Sequence, residues 1–341
     1  MLASFYRVEY GIVGKISTGC GGRRMSKAIS PAKPVHRKGL IYELKANRSL
    51  FIMLLPSVFF FILFCYLPMV GISLAFQDYR YGKGFFGSPF VGLDKFQFFF
   101  ISGKAWLVTT NTILYNLAFI VTGVTVQMAM AVFFSEMKAK WYKKISQSLM
   151  FLPYFISWVV VSAIAYSFFN YEFGTINTLL RQLNAVPIDI YGNPKVWPFI
   201  LVSFNLWKYV GYGSVIYLAA ITSINPELYE AAAIDGANIF QRIFRITLPM
   251  IKPTVIVLLL FQISAILKGN FDLFYQLIGE NGLLFDKTDV IDTFVFRSLM
   301  NSGGDFGLVA AAGLYQQVLG FVIIMTVNLI VKKANSEYAL F

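Results

Sequence analysis

The sequence is poor in charge and in the residues that build catalytic or metal centres. Only 13% of its 341 residues are charged, against about a quarter in ordinary soluble domains. His36 is the single histidine, which excludes a histidine triad and a histidine-rich metal site. The two cysteines, Cys20 and Cys65, stand far apart, so a disulfide framework is excluded as well. We therefore expect neither an enzyme nor a bound metal or cofactor.

The sequence is rich in long apolar stretches. Hydrophobic residues make up 57% of the chain and aromatic residues 17%. They fall in six blocks of about 20 residues, the length that crosses a bilayer as a helix. The pattern predicts an all-α, polytopic membrane bundle of about six transmembrane helices, and it excludes a soluble globular domain. The predicted spans are roughly 50–76, 107–134, 145–169, 196–222, 250–275 and 307–331.

The net charge of +12 comes from lysines and arginines that gather at the edges of these spans. The expected partner is therefore the lipid bilayer and not a nucleic acid. Cytoplasmic flanks of membrane spans are enriched in these residues, so we expect both termini to be cytoplasmic. The less basic connections 77–105, 170–195 and 276–306 are then external. The basic segments are the tail 1–48 and residues 138–144, 242–252 and 332–333.

The tail itself has two parts. Residues 21–24 read Gly-Gly-Arg-Arg directly before Met25, which is what a translated ribosome-binding sequence encodes. Two alternatives follow: a natural start at Met25, or a genuine extension over 1–24. In either case the sequence predicts a basic cytoplasmic tail over 1–48 and a membrane domain over 49–341.

Charged residues are almost absent from the six predicted spans, and this disfavours ion-driven transporters, which hold such residues at membrane depth. The exceptions, Lys208, Lys268 and Asp272, either reach the membrane interface or line a water-filled path. Neutral polar residues are more plentiful and favour a lined cavity. They are Asn111, Asn116, Gln127, Ser157, Ser162, Asn205, Gln262, Asn270, Gln316 and Gln317. A phosphate loop is not present at Gly14-Lys15, where the flanking residues are wrong, so another subunit must bind any ATP.

The connection 225–253 has more structure than a short link needs. Asn225 before Pro226 predicts a helix start, and Asp235-Gly236 predicts its end. Asn238 and Gln241 then form a capping-box pattern for a second short helix, which Pro249 is expected to end before Pro253 opens the next span. This helix-turn-helix is either an amphipathic element on the lipid surface or a helix that docks into a groove of a partner protein.

The segment 230–237, Glu-Ala-Ala-Ala-Ile-Asp-Gly-Ala, followed by Phe244, Leu248, Pro249 and Pro253, resembles the EAA loop of permeases from bacterial binding-protein-dependent ABC importers. The resemblance implies that the loop couples ATP hydrolysis in a separate subunit to the membrane helices. The coupling residues it implies are Glu230, Ala231, Ala232, Asp235, Gly236, Ala237, Phe240, Phe244, Leu248 and Pro249. It also implies a second homologous permease as a heterodimer partner, two ATP-binding cassette subunits, and an extracytoplasmic sugar-binding lipoprotein. The location implied is the bacterial cytoplasmic membrane.

A resemblance to carbohydrate-uptake permeases of the maltose type covers about 48–341. It rests on Trp207 to Ala219 and on Pro226 to Glu230. Patterns such as Ala75-Phe76-Gln-Asp78-Tyr79 and the terminal Ser336 to Phe341 are similar to the branch that imports oligosaccharides from polysaccharide breakdown. An amino-acid or peptide permease and an ATP-independent transporter remain alternatives.

Sugars pair with aromatic platforms and amide groups. Aromatic and amide residues near the ends of the spans are therefore candidates for the sugar path. The same residues are also typical of helix packing or of an aromatic belt at the membrane interface. Lys208 and Lys268 add the hypothesis of an anionic sugar. The set is Trp207, Lys208, Tyr209, Tyr212, Lys268, Asn270, Phe271, Asp272 and Tyr275.

Overall fold

The computed structural model describes residues 47–301 and 305–334, and every regular element in these ranges is helical. The predicted all-α fold is confirmed. Nearly all of the predicted tail 1–48, the alternative start at Met25 and the C-terminal pattern from Ser336 lie outside the described residues. The chain divides into two units, of which the first ends at Phe61 and the second begins at Ile62.

The described part of the first unit is helix α1, Arg48–Phe61, all of whose side chains are exposed. Along the chain it is followed by a π turn, Ile62–Tyr66, and a 3-10 stretch, Leu67–Phe76. The helical run of 29 residues is long and apolar enough to cross a membrane. Pro56 lies inside α1 and Pro68 near the start of the 3-10 stretch. Both prolines therefore lie within the helical run without ending it.

Two short helices, α2 (Gly84–Gly87) and α3 (Asp94–Ile101), occupy the first long connection. Helix α4, Lys104–Glu136, follows and is a membrane span of 33 residues. It forms the axis of the second unit, because residues of α4 belong to all three buried apolar clusters of that unit. Examples are Tyr115, Val108 and Phe134.

The chain bends by 95° within the predicted span 145–169. Two residues separate helix α5, Lys140–Phe155, from helix α6, Trp158–Phe169. Ser157 caps α6 by accepting a hydrogen bond from the amide of Val160. Hydropathy averaged over a window does not detect such a bend, because both arms are apolar.

Helix α7, Thr175–Gln182, lies in the second long connection, and helix α8, Trp197–Thr222, matches the predicted span 196–222. With 26 residues, α8 is about 39 Å long at 1.5 Å per residue. Its small residues allow close packing. A Cβ at Gly211 would stand 2.0 Å from the carbonyl oxygen of Met150 in α5.

Helices α9 (Pro226–Ile234) and α10 (Ile239–Arg242) form the predicted helix-turn-helix. The expectation that Pro249 ends the second helix is wrong. A π turn, Ile243–Thr247, joins α10 to α11, Leu248–Ser264, and the whole forms one continuous helix of 26 residues. Pro249 is the second residue of α11 and directly follows the π turn, a local distortion that lets the helix continue past the proline.

The predicted span 250–275 is also wrong at its far end, because α11 stops at Ser264 and a break precedes α12, Phe271–Ile278. A 3-10 turn, Gly282–Leu284, and helices α13 (Phe285–Thr288) and α14 (Ile291–Asn301) complete this connection. Helix α15, Phe306–Ala334, is the last membrane span.

Within the described ranges, four helices are long and apolar enough to cross a membrane, or five if the bent pair α5 and α6 counts as one span. Helix α8 has the length but is not among them. The predicted number of six therefore remains a prediction.

Two of the basic connections, 138–144 and 242–252, lie at the same end of α4, where Arg242 lies 3.8 Å from Glu136. The less basic connections lie at its other end. There Asn111 and Tyr115 donate hydrogen bonds to the carbonyls of Asp289 and Lys287. The two kinds of connection are thus separated along the bundle, as the charge pattern predicts.

Candidate functional site

A polar cleft of about 410 Å³ opens between α4, α8, α11 and the break 265–270. Five of the ten neutral polar residues that the sequence placed in the spans line it, and three tyrosines join them. Lys268 is the only charged residue among the described residues that line the cleft. The polar and tyrosine lining is Asn116, Gln127, Asn205, Tyr209, Tyr212, Tyr217, Gln262, Lys268 and Asn270.

The walls of the cleft are held by close contacts between α4 and α8. Gly213 leaves room for the side chain of Gln127, because a Cβ at this glycine would stand 2.1 Å from the Gln127 Cδ. The Gln127 amide then donates to the carbonyl of Tyr209 at 3.3 Å. The hydroxyl of Tyr217 is buried and has no hydrogen-bond partner in the described chain. The lining of the cleft thus combines an amide side chain with aromatic residues.

Tyr212 is the predicted path residue with the best-defined aromatic support. Its ring stacks on that of Tyr154 in α5, with centroids 4.6 Å apart and an interplanar angle of 9°. The side chain is 42% exposed, so one face of the ring remains free. This arrangement holds an aromatic platform at the edge of the cleft.

The break 265–270 brings Lys268 and Asn270 to the cleft. Its backbone groups find partners on other elements. Asn116 donates to the carbonyls of Ile266 and Lys268 at 2.9 and 3.2 Å. Asn270 caps α12 by accepting from the amide of Leu273 at 3.4 Å. Non-helical backbone in a membrane protein needs such partners.

Lys208 lies outside the cleft lining, although the sequence grouped it with Lys268. It is buried in α8, and its ammonium donates to the carbonyls of Pro153, Tyr154 and Ile156. Those carbonyls end α5 at the bend, where the helix dipole is negative. The ammonium also lies 5.1 Å from the ring centroid of Trp158. These contacts of Lys208 therefore stabilise the bend between α5 and α6.

The other predicted path residues are also placed away from the cleft lining. Trp207 lies in a separate apolar hollow with Phe204 and Ile156. Phe271 stacks on Tyr275, with centroids 5.1 Å apart. Asp272 is exposed in the first turn of α12. The sequence placed Trp207 in the span 196–222 and the other three in the span 250–275, and the break after Ser264 puts those three in the separate helix α12.

The helix-turn-helix has the local structure that its sequence predicts. Asn225 caps α9 and Pro226 begins it. Gly236 adopts a φ of +76° after the last turn, a conformation that favours glycine. Asn238 and Gln241 form the capping box of α10 with hydrogen bonds of 2.9 and 2.8 Å.

The helix-turn-helix presents apolar side chains outward. Phe240 is 67% exposed and Phe244 is 65% exposed. Beside them, a hollow of about 390 Å³ is lined by Ala232, Asp235, Gly236 and Ala237 together with polar residues of α10. Glu230, Ala231 and Pro249 are exposed, while Ala232, Ala237 and Leu248 are partly buried. None of the ten predicted coupling residues is buried.

The helix-turn-helix is anchored to the membrane helices beneath it. The Tyr229 hydroxyl lies 3.0 Å from the Thr247 hydroxyl, which joins α9 to the π turn. Arg242 pairs with Glu136 at the end of α4. These contacts join the helix-turn-helix to α4 and, through the continuous helix, to α11.

A charged network at the opposite end was not anticipated from the sequence. Lys95 binds Asp78 at 3.1 Å and Asp305 at 3.2 Å. The pKa of Asp78 is lowered by its hydrogen bond to Lys95. Burial would lower the pKa of Lys95, but the two aspartates raise it overall. The three residues are far apart in the sequence, and no local motif connects them.

A helical membrane bundle with a polar cleft and an exposed apolar helix pair at one end has the architecture of a transport permease. A family model described as "Binding-protein-dependent transport system inner membrane component" matches residues 127–336, more than half of the chain. The chain belongs to this family and is a multi-pass membrane permease of that class of transporter.

Its curated relatives include two proteins of Bacillus subtilis (strain 168). The protein LplB is 33% identical over 86% of this chain and 92% of its own length. The polygalacturonan/rhamnogalacturonan transport system permease protein YteP is 32% identical over 89% and 94%. A solved structure titled as a bacterial ABC transporter involved in the import of the acidic polysaccharide alginate matches with a TM-score of 0.78. Its identity is 32%, over 87% of this chain and 99% of that one.

Proposed function

We propose that this chain forms part of the path by which an acidic oligosaccharide enters the cell, driven by ATP hydrolysis in a partner subunit. The observation that supports it most is the lining of the cleft. Tyrosine faces suit the apolar faces of sugar rings, amides suit the hydroxyls, and Lys268 suits a carboxylate. The names of the relatives also support an acidic sugar as the substrate, since both polygalacturonan and alginate are acidic.

The proposed contacts are a subset of the predicted path residues with additions from the cleft. Tyr209, Tyr212, Lys268 and Asn270 stay in the proposal because they line the cleft. Asn205 and Gln262 are added because they line it too. Trp207, Lys208, Phe271 and Asp272 are not proposed as contacts.

The test of the path is a charge-selectivity experiment on Lys268. In proteoliposomes that contain the complete transporter, Lys268→Gln should raise the KM for a uronic-acid oligosaccharide about tenfold, the effect of losing one charge-assisted hydrogen bond. Uptake of a neutral oligosaccharide of equal length should change little. Lys195→Gln, at an exposed lysine away from the cleft, is the matched control. An equal loss for both sugars would contradict the assignment.

We further propose that the surface around Phe240 and Phe244 docks on an ATP-binding cassette subunit. Exposed apolar side chains on a capped helix are typical of helix-in-groove recognition. Glu230, Asp235 and Gly236 would shape the turn that presents them. The positive-inside pattern places this surface, and both termini, in the cytoplasm.

The proposed assembly has four further components. They are a second, different permease, two cassette subunits and an extracytoplasmic sugar-binding lipoprotein that contacts the connections 77–105, 170–195 and 276–306. The intact mass of the purified membrane complex tests the pairing. Two copies of this chain in one complex would contradict it.

A further inference from the structure

The wall of the cleft that carries Lys268 is the break between α11 and α12, and its conformation is fixed by side chains from elsewhere. Asn116 of α4 satisfies two of its carbonyls. Gln316 of α15 donates to the carbonyl of Leu267 at 2.7 Å. These bonds hold the carbonyl side of the break.

The amide side of the break is held by Asp292 of α14. Its carboxylate accepts hydrogen bonds from the Gly269 amide and from the Gln316 side chain. The fit is close, because a Cβ at Gly269 would stand 2.7 Å from the Asp292 Oδ2. Burial raises the pKa of Asp292, while both hydrogen bonds and the charge of Lys268 act in the opposite direction. One carboxylate thus joins the break to two other elements.

Helix α14 is itself firmly placed. The Ile291 amide donates to the Thr112 hydroxyl of α4 at 3.0 Å. Beside it, Thr293 donates to buried Asp289, which also pairs with Arg297. Asp292 therefore projects from a fixed support, and its hydrogen bonds impose that position on Gly269.

We infer that Asp292 is a positioning residue, which sets the conformation of residues 267–269 and thereby holds Lys268 toward the cleft. The inference rests on the proposed function of the cleft. Asp292 is not among the residues that line the cleft, so it acts through the break and through Lys268.

The first arm of the test measures backbone protection and needs no substrate. In the purified transporter complex, Asp292→Ala should speed amide hydrogen exchange of the peptide covering 265–270 by about tenfold, because Gly269 loses a charged acceptor. Asp292→Asn keeps an acceptor oxygen and should restore most of the protection. Asp286→Ala is the control, since Asp286 is exposed on neighbouring α13 and should leave exchange unchanged. Equal exchange in wild type and Asp292→Ala would overturn the inference.

The second arm is a double-mutant cycle in which KM and kcat are determined separately for each variant. Asp292→Ala should raise the KM for a uronic-acid oligosaccharide about tenfold with little change in kcat. In a Lys268→Gln background, it should add almost nothing, because residues that act through one another are not additive. The same KM ratio in both backgrounds would overturn the inference. If the wild type imports no acidic oligosaccharide, the proposed function fails, and the exchange arm still decides the role of Asp292 in the break.

Discussion

At the residue scale, two lysines that look alike in the sequence have different surroundings. Lys208 and Lys268 both lie in predicted spans, and hydropathy cannot separate them. Lys208 is buried against the carbonyls that end α5, whereas Lys268 is exposed at the cleft. The difference comes from the bend and the break, because these features decide which groups each ammonium can reach. The sequence could therefore predict the pair but not its division of roles.

The division predicts different consequences of removing each charge. Lys208→Met leaves three carbonyls at the bend without their cationic donor, and we expect the complex to lose about 1–3 kcal/mol of stability. The midpoint of thermal unfolding in detergent measures this, with Lys195→Met as the control at an exposed lysine. The ratio of acidic to neutral sugar uptake should stay at the wild-type value. An unchanged midpoint together with lost selectivity would show that Lys208 contacts the substrate.

At the element scale, helix ends were predictable and interruptions within apolar runs were not. The cap at Asn225, the stop at Gly236 and the capping box at Asn238 depend on residues within a few positions of one another, and all three are present. The bend near Ser157 and the break after Ser264 depend on distant partners such as Lys208 and Asn116. Local propensity contains no information about these partners.

The proposed docking surface around Phe240 and Phe244 predicts variants in which ATP hydrolysis is uncoupled from uptake. Phe244→Asp places a charge on the exposed apolar surface that we propose docks on the cassette subunit, and Glu230→Lys reverses the charge in the preceding helix. Each should reduce substrate-stimulated uptake at least about tenfold, since buried aromatic anchors contribute about 2 kcal/mol or more to an interface. Phe244→Leu keeps an apolar side chain and is the control. Uptake and ATP hydrolysis are measured together, and normal coupling in both charged variants would refute the assignment.

At the scale of the whole molecule, the apolar blocks predicted an all-helical membrane protein, and the family and the fold agree with that prediction. A basic connection and a less basic connection contact opposite ends of α4. The sequence predicted the polar residues of the cleft but not its shape, because the shape depends on helix packing between α4, α8 and α11.

The most direct measurement of the central claim is uptake of a labelled uronic-acid oligosaccharide into proteoliposomes that contain the complete transporter and its binding protein. We predict that uptake requires ATP on the side of the membrane that carries the surface around Phe240 and Phe244. We also predict that uptake falls in the Lys268→Gln variant. Uptake that persists without ATP or without the cassette subunits would contradict the claim. So would a complete absence of uptake of acidic oligosaccharides while a neutral sugar is imported normally.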